Sequence, residues 1–368
     1  MQPLMKYPFV RPEIAPVVEW EALLATSYEQ RYFINFGELE TRLSAELRDR
    51  FGGDHAAVTL VANATCGLTA ALIAHGVRGS VVIPNFTFPA TLDAVLSARC
   101  TPILCDIDPD SCEMDPEALE QICHSYAVAA VMPVRAYGLV RDFALIIEVA
   151  RAHGAPVIID AAAALGGGRI EVSEDVTEVV SMHATKSLGI GEGGAIFTHE
   201  SRAEATRSAV NFGLKADRRF DFGMNGKMSE FNAAIGLAQL EHIERLTAGR
   251  RAMAAFYDEL LRRFQDIRLP YRPGPTAWSN YPIILPAGTD TEGFERACHA
   301  RGLQVRRYYW PTIQKGFTEP LDSGASLEVS SDLAERAVCL PLYPSVTAEE
   351  KAEIAEILVE CLEPVEVG

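Results

Sequence analysis

Long apolar runs are missing from this 368-residue chain: none reaches the ~20 residues that carry a helix across a bilayer, so a helical membrane span is not expected. Basic charge is also scarce, with 33 Lys and Arg against 50 Asp and Glu and a net charge of −17. Such a balance disfavours nucleic acid or an anionic membrane as the main partner, while leaving room for a local basic pocket. The eight cysteines form no CxxC pair and no paired spacing with histidine, so neither a disulfide framework nor a metal site is expected. Several sit in apolar stretches, where cysteine acts as a small hydrophobe. The opening residues Met1–Pro8 lack the apolar core of a signal peptide. A reduced, cytoplasmic protein is the expectation.

Hydrophobic residues make up 48% of the chain and charged ones 23%, which is ordinary for a globular enzyme. Between about residues 57 and 200, short apolar runs alternate with amphipathic stretches. Ala57–Ala62, Val81–Ile83, Pro102–Leu104, Val128–Val134, Pro156–Ile159, Val179–Met182 and Ala195–Thr198 read as strands. Leu68–His75, Pro89–Ala98, Pro116–His124 and Asp142–His153 read as helices. This alternation predicts an α/β fold with a mostly parallel sheet covered on both faces, because its strands are apolar almost throughout. Met228 to about Arg263 is helical in pattern, and Leu269–Pro275 breaks it. Beyond the break, strands near Tyr281–Leu285 and Gln304–Tyr308 and helices near Thr291–Ala300 and Ala348–Cys361 suggest a smaller α+β lobe. The expected division is 1–250 and 251–368.

Chemistry concentrates where these strands end. Val157-Ile158-Ile159 runs into Asp160, and Ser181-Met182-His183-Ala184-Thr185-Lys186 runs into Gly191-Glu192-Gly193-Gly194. An acid at the end of one buried strand and a lysine just after another suit pyridoxal 5′-phosphate. The lysine can hold its aldehyde as a Schiff base while the aspartate faces the pyridinium nitrogen. A surface lysine beside a glycine turn is the plain alternative, but it leaves a buried aspartate without a reason. Asn63-Ala64-Thr65-Cys66-Gly67, between a strand and a helix, offers a phosphate cradle or simply a threonine N-cap. Phe88 is a candidate to stack on the ring or a core phenylalanine, and Ser181 a phosphate donor or an ordinary strand serine.

In combination these segments resemble the DegT/DnrJ/EryC1/StrS family of pyridoxal-phosphate-dependent aminotransferases of nucleotide-linked sugars. The resemblance extends through Asn35-Phe36-Gly37, Pro84–Thr91, Asp106-Ile107-Asp108, Met132-Pro133-Val134, Tyr137-Gly138, Gly223–Glu230 and Leu340-Pro341-Leu342-Tyr343. It implies the aspartate-aminotransferase-like fold (fold type I), with a seven-stranded sheet in the large domain. It implies Lys186 as the Schiff-base lysine, Asp160 as the pyridinium partner and Phe88 as the stacking ring. Thr65, the Cys66 backbone and Ser181 would hold the phosphate. Asn225 resembles the residue that reaches the neighbouring subunit's cofactor, which implies a homodimer with shared active sites. The implied substrates are L-glutamate and a nucleotide-linked keto-sugar, such as a dTDP-linked 3- or 4-keto-6-deoxyhexose.

The chain departs from the family pattern twice. Ala163 stands where glutamine is usual, and Arg135 where histidine is usual. Arg135 replaces the lost polar contact at the ring, points to solvent or pairs with a structural carboxylate. His183 and the segment Arg306-Arg307-Tyr308-Tyr309-Trp310-Pro311 are further substrate candidates, with Arg306, Tyr308 and Tyr309 suited to a nucleotide diphosphate. Packed strand residues are the alternative reading for each. A keto-cyclitol aminotransferase and a non-catalytic cofactor-binding protein also fit these residues.

Overall fold

The computed structural model describes residues 5–139, 142–272 and 276–363. The opening tetrapeptide and the Pro273–Pro275 part of the expected linker therefore lie outside the described residues. Ten strands are present among them: β1 (Ala56–Val61), β2 (Ser80–Pro84), β3 (Thr101–Cys105), β4 (Val128–Val131), β5 (Val157–Asp160), β6 (Val176–Ser181), β7 (Gly194–His199), β8 (Tyr281–Ile284), β9 (Asp322–Ser323) and β10 (Ala337–Leu340). One sheet has the order β1-β7-β6-β5-β4-β2-β3-β9, and β10 and β8 form a second. In the large sheet β7 is antiparallel to β1 and β6, and the other pairs are parallel.

Period-two alternation sorts the strand side chains into two cores. Leu60, Val82, Ile103, Val131, Val157, Val180 and Phe197 enter one apolar cluster, while Val61, Val81, Leu104, Ala130, Ile158, Val179 and Ile196 enter another. Each face of the sheet is thus buried under helices, as the unbroken apolar strands require. A third cluster gathers Tyr257, Leu261, Tyr281, Ile283, Cys298, Val338, Ile354 and Leu358. The helix Ile243–Leu261 runs through the proposed boundary at residue 250 and contributes to this third cluster with its second half.

Four expectations change in detail. The sheet has an eighth strand, β9, a two-residue parallel pairing with β3 that no apolar run announces. The run Val128–Val134 stops as a strand at Val131, close to Pro133, which has no N–H to give to a ladder. Gln304–Tyr308 is no regular strand; Arg306 makes a single bridge to Cys339. The helical stretch from Met228 is two helices, Glu230–Leu240 and Ile243–Leu261. Among the described residues no helix is long and apolar enough to cross a membrane.

Because β1, β2, β5 and β6 point the same way, their carboxyl ends meet along one edge of the sheet. Such an edge is where open α/β sheets bind ligands. Gly194 makes the edge compact: a Cβ there would stand 2.9 Å from the Ala64 nitrogen and 3.0 Å from the Val180 oxygen. Only glycine lets β7 start this close to the helix Ala64–Ala74.

Away from this edge, Glu40 is buried in the first turn of the helix Glu38–Phe51, and one of its carboxylate oxygens lacks a partner. Burial raises its pKa from 4.5 to about 7, against the pull of Arg207 and the Leu60 amide. Between those values the folded chain holds a proton that the unfolded chain has lost, so stability falls as pH rises through the window. Glu40→Gln is expected to flatten that fall and to add on the order of 2 kcal/mol at pH near 8. Denaturant midpoints of both proteins near pH 5 and near pH 8 check it, and parallel pH dependences would refute it.

Candidate active site

A cavity of about 690 Å³ opens at the shared strand edge. It brings together Thr65, Cys66, Phe88, Arg135, Asp160, Ser181, His183, Lys186, Arg306, Tyr308 and Tyr309. Eleven of the twelve residues singled out from sequence therefore converge, and Asn225 is the exception. Asn225 is exposed outside its own chain's cavity, where its Oδ1 accepts from Lys227 Nζ at 2.7 Å.

Asp160 closes β5 and is only 5% exposed. Its Oδ2 accepts from the Thr91 hydroxyl at 2.7 Å and its Oδ1 from the Ala162 amide at 3.1 Å. No cation pairs with it at ion-pair distance among the described residues. Burial pushes its pKa up, while Thr91, the Ala162 amide and the more distant Lys186 draw it down. Lys186 shows the converse: burial lowers its pKa, Asp160 raises it and Arg250 lowers it further. A carboxylate kept from water without a counter-ion is ready for a cationic ligand, and an amine biased towards its neutral form is ready to act as a nucleophile.

The helix Ala64–Ala74 begins at the cavity, but its N-cap is Asn63, not Thr65. The Asn63 Oδ1 accepts from the Cys66 amide at 2.9 Å, so the amide expected to hold a phosphate is already bonded. The Thr65 hydroxyl has no protein partner among the described residues. Ser181 ends β6, and its hydroxyl accepts from the His183 amide at 3.2 Å. His183 Nδ1 lies 2.9 Å from the Thr185 hydroxyl. The Phe88 ring is 54% exposed beside the cavity and stands edge-on to Tyr308, with centroids 6.4 Å apart.

Of the two departures Arg135 has a structural explanation, while nothing in the structure explains alanine at 163. Arg135 takes the pairing alternative: its Nε and Nη2 reach Glu178 Oε1 and Oε2 at 3.3 and 3.1 Å. Its guanidinium also lies over Phe143 at 4.8 Å. The Ala163 carbonyl accepts from the Ser279 hydroxyl at 2.6 Å. Gly138, at φ +85°, approaches that same carbonyl so closely that a Cβ would stand 2.2 Å away.

Arg306 differs from its neighbours in charge pairing. Arg307 is bound to Glu335 at 2.9 Å, whereas Arg306 contacts the Tyr308 hydroxyl at 3.1 Å and the Phe9 ring at 4.9 Å, with no carboxylate partner among the described residues. Sequence reasoning missed Phe9, Glu192, Ser279 and Asn280 on the cavity wall, and Thr91 behind Asp160. Phe9 and Ser279 carry no local signal; Thr91 was within reach as the end of the Pro84–Thr91 segment. Two groups of metal-capable side chains, His55–His199–Glu200 and Glu120–His124–His153, lie outside the cavity.

The model of the DegT/DnrJ/EryC1/StrS aminotransferase family matches residues 18–359. A dTDP-4-amino-4,6-dideoxy-D-glucose transaminase of Shigella dysenteriae is 30% identical, over 96% of this chain and 97% of that protein. A solved structure from Bacillus cereus, assigned as a PLP-dependent aminotransferase, superposes with a TM-score of 0.89 at 29% identity, covering 97% of this chain and 99% of the other. The structure of DesI in the presence of its TDP-sugar product gives 0.87 at 27% identity, covering 98% and 93%.

The Arg135–Glu178 pair carries a stability prediction. Arg135→Met strands a buried carboxylate and is expected to cost about 3–5 kcal/mol, whereas Arg135→Met with Glu178→Leu recovers most of that loss. Denaturant unfolding of the three proteins reads it, and a double variant no better than the single would refute it.

Proposed function

The chain belongs to the DegT/DnrJ/EryC1/StrS aminotransferase family and is a sugar aminotransferase, and from that premise we propose its cofactor, substrates and residue roles. The cofactor is pyridoxal 5′-phosphate, the donor L-glutamate, and the acceptor a nucleotide-linked keto-sugar, a dTDP-linked 3- or 4-keto-6-deoxyhexose. One observation carries the cofactor reading: Asp160 is buried with no cation at ion-pair distance among the described residues, in the same cavity as an amine whose protonation burial disfavours. A protonated ring nitrogen is the cation this carboxylate lacks.

When bound, pyridoxal phosphate supplies an electron-poor ring that takes up the electron pair left as the donor's α-proton departs. The chain's own groups do the rest. Asp160, oriented by Thr91 and the Ala162 amide, keeps the ring nitrogen protonated. Lys186 would hold the cofactor through Nζ, and its amine would hold and move the proton at the donor carbon. Thr65, Ser181 and the Cys66 amide hold the phosphate, the amide by exchanging its bond to Asn63. Phe88 covers the ring face. Arg306, without a carboxylate partner, and the Tyr308 and Tyr309 rings receive the nucleotide diphosphate, with His183 beside them. Asn225 serves the cavity of a second copy, in a homodimer with shared sites. The exposed Phe212, Phe220, Phe222 and Phe231, near it in sequence, suit such an interface.

The purified protein is expected to bind pyridoxal phosphate with a visible absorption band that shifts on addition of L-glutamate. No shift with any amino donor would sink the reading. Lys186→Ala is expected to lower turnover by at least ~10²–10⁴-fold while still binding the cofactor. A panel of nucleotide-linked 3-keto and 4-keto sugars, read by mass spectrometry, identifies the acceptor; amination of free keto-cyclitols alone would redirect the assignment.

A further inference from the structure

One buried cation has no place in that scheme. Arg250 sits inside the helix Ile243–Leu261 and is 5% exposed. Its Nη1 donates to the Trp278 carbonyl at 3.2 Å, and its Nη2 donates to the Thr185 and Lys186 carbonyls at 3.3 and 3.5 Å. Its Nε is buried with no partner. No carboxylate pairs with it among the described residues; Glu13, the acid that acts on it from a distance, is bonded to Arg245 at 3.0 Å. Burial lowers the guanidinium to about 10. A cation buried without a counter-ion and with one donor unmet is costly, so packing alone is a poor reason for it.

Its acceptors supply a better reason. Lys186 lines the cavity from one stretch of chain, and Ser279 and Asn280, next to Trp278, line it from another. The Arg250 fork joins the two through main-chain oxygens, a geometry for which the planar guanidinium is suited and an ammonium is not. The helix that carries it is held in turn: a Cβ on Gly249 would stand 2.1 Å from the Pro344 oxygen. On its other side the lysine turn is fixed by the Ser187 hydroxyl, which donates to the Leu165 carbonyl at 2.6 Å.

We propose that Arg250 is a positioning residue that ties the lysine-bearing turn to the wall at residues 278–280, and so sets where the Lys186 amine stands relative to Asp160. The proposal rests on Lys186 being the working amine. The positive charge of Arg250 also opposes protonation of that amine, in concert with burial and against Asp160.

The test compares Arg250→Met and Arg250→Lys with the parent protein in three measurements. Amide hydrogen exchange is followed in the cofactor-free chain, binding of pyridoxal phosphate by absorbance, and the cofactor's spectral response to L-glutamate in the loaded enzyme. In Arg250→Met, the peptides covering 184–190 and 276–282 are expected to exchange faster together, and binding to slow. The maximal rate of the glutamate-driven change is expected to fall on the order of 10²-fold, with the half-saturating glutamate concentration little changed. Arg250→Lys keeps the charge without the fork and is expected to restore only part of that rate. A variant merely less stable, with unchanged exchange in those two peptides and an unchanged maximal rate, overturns the proposal. If Arg250→Met does not fold, Arg250→Lys decides: parental exchange and rate overturn it. Lys186→Ala run alongside separates the two readings, since full turnover there removes the premise, whereas its loss with a parental Arg250→Lys rate removes only the clamp.

Discussion

The arrangement of this cavity follows from one constraint: a carboxylate at the end of a buried strand with no cation at ion-pair distance among the described residues. Taking a charge out of water costs several kcal/mol unless its oxygens are satisfied. The chain satisfies Asp160 partially, with one hydroxyl and one amide. Thr91 is available for this because the β2-to-helix connection crosses the same sheet edge, and Ala162 because the chain turns directly after β5. What those two bonds leave unmet is the charge.

Close approach of main chain builds the rest of the site. Gly194 lets β7 begin against the helix that starts at Ala64, and Gly138 lets the turn after β4 rest on the Ala163 carbonyl. Ser279 bonds that carbonyl from the C-terminal part of the chain, and Arg250 bonds the carbonyls of the lysine turn. The cavity walls are thus joined through backbone oxygens more than through side-chain pairs. This makes their spacing depend on the backbone.

Much of this was legible along the chain. The seven principal strands appear where apolar runs predict them, and eleven of the twelve chosen site residues line one cavity; eight of these close or follow strands of a common direction, as the strand-end rule expects, while Arg306, Tyr308 and Tyr309 come from outside the large sheet. Arg135 was open from sequence, since an arginine after a strand reads alike whether it meets a ligand or a carboxylate. Glu178, which settles its pairing, lies more than forty residues away on a separate strand. The alternative of Thr65 as an N-cap failed for a local reason: Asn63, two residues before it, is the N-cap and holds the Cys66 amide. The two-residue strand β9 had no apolar pattern to reveal it.

Sequence by itself determined the α/β class, the strand ends and the lysine and aspartate placed at them, because periodicity and residue type are local properties. Tertiary structure decided which of those residues lack partners. Among the described residues it left Asp160 and Arg306 without an ion-pair partner, paired Arg135 with Glu178, and drew Arg250 from a distant helix onto the lysine turn. Charge pairing and desolvation depend on what folds into the space around a group, and that neighbourhood is assembled from segments that no local pattern connects.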